Sequence, residues 1–161
     1  MHRNTEPVRL EPLTEGNLTL LLDAAVADAD PLEVMPPVDG APGWNAARRD
    51  AFLDFHRGRA LRAEHPVEYT YLIAVGDRIV GAARLQPGED GLEAGVWIGR
   101  SDRGRGVGRA VAEQLRAVAV EIGAHQVVAT TTVDNSAARK LLWSATSTVD
   151  GGTVTAKLAL D

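Results

Sequence analysis

Residues 97–109 read Trp97-Ile98-Gly99-Arg100-Ser101-Asp102-Arg103-Gly104-Arg105-Gly106-Val107-Gly108-Arg109, and the fold turns on this stretch. An apolar, strand-like end runs into a loop of glycine and arginine, and the loop runs into a helix start. Glycines at 104, 106 and 108 remove side chains where backbone N–H groups can converge, and glycine accepts the left-handed backbone of a tight loop. Those N–H groups, with the positive end of the following helix, make an anion site suited to a pyrophosphate. Across 100–116 five arginines face Asp102 and Glu113, a local charge of +3 in a chain of net charge −5. A solvated basic loop with turn glycines is the plainer alternative, and the helix directly behind it argues for the anion site.

Upstream of this stretch the period is two. Residues 69–75 (YTYLIAV) and 78–86 read as strands joined by Gly76-Asp77, a two-residue hairpin signal. A turn over 87–91 leads to a third strand, 92–98, with Leu92, Ala94, Val96 and Ile98 on one face. Earlier still, 8–13 reads as an edge strand. Thr14 is placed to cap a helix in which Leu18, Leu21, Leu22, Ala25 and Val26 form one apolar stripe. Residues 29–44, with Pro31, Pro36, Pro37, Gly40, Pro42 and Gly43, read as a long loop. A second helix is expected from Asn45 to about Arg62, with Phe52 and Phe55 inward.

Downstream, Val107, Val111, Leu115, Val118 and Ile122 mark a helix that Gly123 ends. Residues 126–133 read as a buried strand. Asp134 or Asn135 caps a short helix carrying Ala138, Leu141, Leu142 and Ala145, and Asp150-Gly151-Gly152 turns the chain into a last strand, 153–160. The order β-α-α-β-β-β-α-β-α-β-β predicts a mixed, half-wrapped α/β sheet.

With 161 residues the chain fits one domain, 1–161, with a real core. Seventeen basic against 22 acidic residues argue against general binding to nucleic acid or anionic lipid. No cysteine occurs, which excludes disulfides, thiolate metal sites and a cysteine nucleophile. No two histidines stand at ligand spacing with a carboxylate, so no metal site is expected. Apolar runs are too short to span a bilayer and no signal-peptide pattern opens the chain, so the expected location is the cytoplasm.

Among phosphate loops, the Walker pattern fails for want of Gly-Lys-Ser/Thr. The dinucleotide fingerprint would need a third glycine at 109, where Arg109 stands. R-x-x-G-x-G does match, as Arg103-Gly104-Arg105-Gly106-Val107-Gly108. In this the chain resembles the GCN5-related N-acetyltransferase (GNAT) superfamily, whose Q/R-x-x-G-x-G/A loop holds the pyrophosphate of acetyl-CoA. Glu93-Ala94-Gly95-Val96-Trp97-Ile98 is similar to the E-I-G-Y-W-L stretch of the RimJ/RimL-like branch, and Asn135-Ser136-Ala137-Ala138 resembles the family's N-x-x-A/S helix start. The resemblance runs from about Tyr69 to Leu142.

The resemblance implies a mostly antiparallel sheet wrapped by about four helices, with splayed central strands, and acetyl-CoA as cosubstrate. Coenzyme contacts would come from Val96, Trp97, Ile98, the run Arg103, Gly104, Arg105, Gly106, Val107, Gly108 and Arg109, and from Asn135 and Ala138. It also implies direct attack of a neutral amine on the thioester. The carbonyl oxygen would take a backbone N–H from Val96, Trp97 or Ile98, with Trp97 carried as a catalytic residue. Gly95 would let the strand bulge and part from 126–133, or would serve only for close packing. Glu93, sharing a face with Gly95 and Trp97, is the candidate base; the alternatives are a solvated carboxylate or an ion pair. The family's tyrosine, seven residues after the Asn, is Leu142 here, and its Gly-Phe pair is Thr146-Ser147. Protonation of the departing thiolate then falls to water, Ser136 or Ser144.

Acceptor specificity is expected in the first two helices and their loop. Residues 14–43 hold six acids and no Lys or Arg, a local charge of −6 that would favour a cationic amine such as an antibiotic or polyamine, or would simply solubilise the helix. A peptide N-terminus is the other acceptor class, and a small amine the preferred one. Trp44 is either a lid or a hydrophobic staple. His125 reads as a loop or helix-dipole residue rather than a base, and His56 and His65 read as surface residues, with lining of the acceptor side as the alternative. Two other classes compete: a non-catalytic acyl-CoA-binding regulatory or interaction module, and a domain for another nucleotide. A homodimer through the last strand is a family-level option.

Overall fold

The alternating stretch from 69 to 98 folds as three consecutive antiparallel strands in the computed structural model, which describes residues 7–61, 68–89, 91–132, 146–150 and 153–160. The elements in chain order are β1 (Val8–Pro12), α1 (Leu18–Asp28), α2 (Pro31–Val34), α3 (Ala46–His56), β2 (Tyr69–Val75), β3 (Arg78–Gly88), β4 (Gly91–Ile98), α4 (Val107–Ile122), β5 (Gln126–Thr132), β6 (Thr146–Asp150) and β7 (Thr153–Ala159). They form one seven-stranded sheet of order β1-β2-β3-β4-β5-β7-β6. Every pairing is antiparallel except β4 with β5, which α4 connects. This is the mixed, mostly antiparallel sheet expected. The expected helix after Asn135 lies outside the described residues.

Each face of the sheet has its own core. On one, Val107, Val111, Leu115 and Ala119 of α4 pack on Ile73, Val75, Leu85 and Leu92. Ala119 takes the place on this stripe expected for Ile122, which is exposed. Gly123 ends α4 as anticipated: its N–H bonds Val120 O (3.0 Å) while Ala124 N–H reaches Ala119 O (3.0 Å). On the other face, Leu18, Leu21 and Ala25 of α1 and Phe52 of α3 pack on Leu72 and Ala82.

Thr14 does not cap α1, whose N-cap is Asn17; it closes the turn that leads into the helix. Thr14 N–H donates to Asn17 Oδ1 (2.8 Å) and Asn17 N–H to Thr14 Oγ1 (3.2 Å), a reciprocal pair of bonds across that turn. The stretch 29–44 is not all loop. Asp30 accepts from Leu32 N–H (3.0 Å) and its own N–H donates to Glu33 Oε1 (3.1 Å), a capping box with Pro31 in the first turn of α2. The proline that reads as a breaker is here a helix starter. Beyond it, Arg48 gathers the carbonyls of Val38, Gly40, Ala41 and Gly43. Trp44 is a pin rather than a lid: its Nε1 donates to Ala29 O (2.8 Å) and its ring meets Phe52 edge-on. α3 passes at Arg57 into a π turn that ends at Leu61.

Two expectations about the sheet are corrected. The register shift falls between Ile73 and Ala74 of β2, not at Gly95. The last strand lies between β5 and β6, so β7 offers no free edge for a dimer, and the edges are β1 and β6.

Candidate functional site

Among the described residues the one parallel pair in the sheet is also the shortest. β4 pairs with β5 at Leu92, Ala94 and the residue between them, opposite Val127–Ala129, and no pairing follows from Gly95 onward among the described residues. This is the splay expected at Gly95, produced without a bulge on β4. Gly99 N–H donates to Val80 O at 2.8 Å. Strand alternation therefore turns the amides of Gly95 and Trp97 into the β3 ladder, and those of Val96 and Ile98 toward the gap. Of the three expected oxyanion donors, Trp97 has its N–H on the wrong side. Its indole instead packs with the α1–α3 core. Val96, expected to be covered with Leu92, is 46% exposed where the strands part.

Behind the gap sits the glycine loop. Its base is anchored by Asp102, buried and bonded to Arg78 Nη2 (3.1 Å), and by Ser101, whose N–H and Oγ both donate to Asp28 (2.9 and 2.8 Å). Arg103 Nε reaches Ile98 O (2.8 Å), while its Nη2 (2.7 Å) and Arg100 Nη2 (2.9 Å) share the carboxylate of Glu33. Those hydrogen bonds, that from Arg103 foremost, outweigh partial desolvation and hold the Glu33 pKa down at about 2. Gly104 and Gly106 have φ of +76° and +85°, and a Cβ on either would meet nothing within 4 Å. Backbone sign alone requires glycine there, and the space over the loop is open.

α4 starts directly after Gly106 with no side-chain cap. Ala110 is the first residue whose N–H finds a helical partner, at Gly106 O (3.2 Å). The amides of Val107, Gly108 and Arg109 are left to point out of the helix end. Arg105 and Arg109 are exposed beside them. The structure thus brings together Gly104, Arg105, Gly106, Val107, Gly108 and Arg109, with Val96 and Ile98 at the gap. It commits the Arg103 guanidinium elsewhere, to Glu33 and Ile98. Asn135, Ser136, Ala138 and Ser144 lie outside the described residues.

On the opposite face of β4 a cavity of about 350 Å³ opens between α2, the end of α3 and strands β2 to β4. Its polar wall is Glu33, His56, Glu68, Thr70 and Arg84, and its apolar wall includes Met35, Phe55 and Trp97. Glu68 is buried, pairs with Arg59 Nε, and accepts from Thr70 Oγ1 (2.6 Å). Gln86 Oε1 takes one bond from Arg59 Nη2 (2.8 Å) and another from Arg84 Nη1 (3.0 Å). The Arg84 side chain lies across Gly95, where a Cβ would come within 2.7 Å of its Nε. Close approach of Arg84, rather than backbone conformation, accounts for glycine at 95.

His56 is not on the surface, as its sequence position suggested. It is only 4% exposed, between the rings of Phe52 (4.6 Å) and Phe55 (5.2 Å), and neither ring nitrogen has a partner. Burial lowers its pKa to about 4, against a partial opposing pull from Glu68. Glu93 is exposed, opposite Gln86 on the cavity face of β4. Tyr69 and Tyr71 lie two strands away from the gap, and Tyr71 packs with the α4 core.

Four of the six acids of 14–43 have partners in the structure. Glu15 pairs with Arg57 (3.1 Å), Asp28 holds Ser101, Asp30 caps α2 and Glu33 binds two arginines. Among the described residues Glu33 is the one acid of that stretch that lines the cavity, and it is already paired. The cavity residues Glu68, Thr70 and Arg84 were missed in the sequence because their pairings join distant segments, whereas the sequence does offer His56 as an alternative lining residue. The one local hint was Arg84 and Gln86 alternating with buried residues on β3.

Free amides at an uncapped helix start beside parted strands, with a separate cavity across the strand, give a phosphate-bearing acyl donor and an acceptor separate places to bind. The family model of the acetyltransferase (GNAT) family matches residues 31–142, and the chain belongs to that family. It is an N-acetyltransferase that uses acetyl-CoA. Solved structures agree in fold. RimL, a ribosomal L7/L12 alpha-N-protein acetyltransferase in complex with coenzyme A, is 16% identical with a TM-score of 0.73, over 98% of this chain and 96% of that one. The GNAT domain of S. lividans PAT is 18% identical with a TM-score of 0.71, over 95% and 90%. The acetyltransferase yncA from Salmonella typhimurium with acetyl-CoA is 19% identical with a TM-score of 0.66, over 96% and 94%. The RimJ/RimL-like resemblance is compatible with these. No curated protein matches the sequence significantly. Among the described residues no cluster of side chains could hold a metal, and no helix is long and apolar enough to cross a membrane.

Proposed function

We propose that the protein acetylates a small primary amine, which enters the cavity between α2, α3 and β3 and meets the acyl donor at the gap beside Val96. The observation that carries this reading is β4 leaving β5 after three paired residues, between an uncapped helix end and a cavity. At about 350 Å³ the cavity is near the lower end of the roughly 300–1,000 Å³ usual for small-molecule sites, which favours a compact acceptor over a protein N-terminus.

Bound acetyl-CoA supplies the activated acyl group; the chain's own residues do the rest. The amides of Gly106, Val107, Gly108 and Arg109 receive the pyrophosphate, and Arg105 and Arg109 add positive charge. The Val96 or Ile98 amide, fixed in the strand, donates to the carbonyl oxygen as negative charge grows there. Trp97 shapes the acceptor side with its indole. Glu93 takes the amine proton through water; an α-amino group, with a pKa of about 7.7–8.0, asks little of it. The thiolate is protonated by water, Ser136 or Ser144, with Asn135 and Ala138 on the coenzyme side. We place the protein in the cytoplasm, with its acyl donor, and as a monomer or a dimer that leaves β7 inside its sheet.

Thermal stabilisation by coenzyme A but not by ATP or NAD, with release of thiol when acetyl-CoA meets a panel of amines, tests the reading. Stabilisation without any acetylated amine would make the protein a coenzyme-binding module instead.

A further inference from the structure

Among the described residues the cavity wall carries one charge with no counter-charge. Glu33 is held by Arg100 and Arg103, and Glu68 by Arg59 and Thr70. Arg84 has a single bond, to the neutral amide of Gln86, and no carboxylate within ion-pair distance among the described residues. A guanidinium carries five N–H donors, so most of those on Arg84 are unused. It is half-buried and flattened over Gly95, one residue from the Val96 amide at the gap. A half-buried cation gains strongly from a bound anion, and a planar fork favours a carboxylate or similar oxyanion. Glu93, exposed on the same face opposite Gln86, forms no ion pair with it.

From this charge balance we infer that the acceptor is an amine that also carries a carboxylate, an α-amino acid being the simplest case, with the carboxylate on Arg84. This rests on the transferase reading above and reverses the cationic preference suggested by the acidic composition of 14–43. Phe55, Met35 and Trp97 give the acceptor side chain an apolar bed, and the buried ring of His56 closes the floor. Seated on Arg84, a carboxylate would hold the neighbouring amine at the strand edge where β4 leaves β5.

The test is acetylation of matched acceptors: a set of α-amino acids, the corresponding amides, and spermidine. With each rate referred to the neutral-amine fraction of its acceptor, the free acids are expected to exceed their amides in kcat/KM by roughly tenfold or more, the scale of one charge-assisted hydrogen-bonded pair. Arg84→Gln should shrink that ratio toward one, and Arg84→Lys should restore part of it. Amides or spermidine preferred over acids, or Arg84→Gln slowing all acceptors alike, would overturn the inference and leave the transferase reading intact. Binding of the same acids, read as a thermal shift with coenzyme A present, separates the opposite case. Acids that stabilise the wild type but not Arg84→Gln, without turnover, would keep the carboxylate site and remove the enzyme reading. Neither a shift nor turnover with any acid would remove the site.

Discussion

Between Gly104 and Arg109 the surface offered to a ligand is main chain, whereas across β4 it consists of Arg84, His56, Glu68 and their neighbours. The first needs only glycine at two positive-φ positions and a helix that starts without a cap. The second depends on pairs far apart in sequence: Arg59 with Glu68 and Gln86, and Arg84 over Gly95. A site made of amides keeps its ligand while side chains drift; a site made of side chains changes ligand with one substitution. The coenzyme is the constant of such a family and the acceptor its variable, and the two sides of β4 are built accordingly.

The sharpest way to break this comparison is to put a side chain into the loop. Gly106→Glu forces a non-glycine residue to φ +85° and sets a carboxylate where phosphates should lie. Coenzyme affinity should fall by roughly a hundredfold or more, the sum of backbone strain and like-charge repulsion. Truncating a side chain of the same loop, Arg105→Ala, should cost only about two- to fivefold, the scale of one exposed charge near a helix end. Titration calorimetry with coenzyme A measures both. Equal losses would mean that arginines, not amides, carry the site.

That contrast also explains how much could be read from the sequence. The loop, its strand and its helix are contiguous, so spacing placed Gly104 to Arg109, while the parting at Gly95 was implied only by the family resemblance. α2 went unread because Pro31 looks the same as a breaker or as a first-turn residue, and the Asp30–Glu33 box decides which. The acidic stretch misled for a deeper reason. Composition counts charges but not partners, and Glu15, Asp28 and Glu33 find theirs on Arg57, Ser101, Arg100 and Arg103. His56 looked like a surface residue since nothing in its helix tells that π winding follows and that its ring is buried.

His56 gives the cavity side its own signature, in stability rather than affinity. Its pKa is about 4 folded against an ordinary 6.5, so the unfolded chain binds a proton that the folded one refuses between those values. Stability therefore rises with pH through that window and is lost as pH falls from about 6.5 toward 4, by roughly 3 kcal/mol at 1.36 per unit. His56→Leu removes the group and should flatten the profile there. Urea unfolding at pH 7 and pH 4.5 reads the difference; an unchanged acid slope in the variant would place the titration elsewhere.

Glu33 joins the two sides, so its loss should be felt on both. Its carboxyl is held at about 2 against an ordinary 4.5, so its contribution is complete above 4.5 and lost as pH falls toward 2. Glu33→Gln should erase that acid limb while raising the coenzyme dissociation constant several-fold, since Arg100 and Arg103 lose the anchor that fixes the loop base. A changed acid limb with untouched coenzyme affinity would mean that the loop is set by Asp28 and Asp102 alone.

For Glu93 the pattern of the effect matters more than its size. The side chain is exposed on the cavity face, across from Gln86 and two residues from Gly95. If it takes the amine proton through water, its value depends on how far the acceptor's pKa stands above neutral. An amine near 7.7–8.0 is already partly neutral, while one near 10.4 must be deprotonated at a cost of about 4 kcal/mol at pH 7.5. Glu93→Gln should thus slow low-pKa acceptors barely and lysine-like amines by about tenfold, within the range of general-base help. Initial rates against acceptor pKa, at saturating acetyl-CoA, give the slope; a uniform drop across the series would take Glu93 out of the proton path and leave water to carry it unaided.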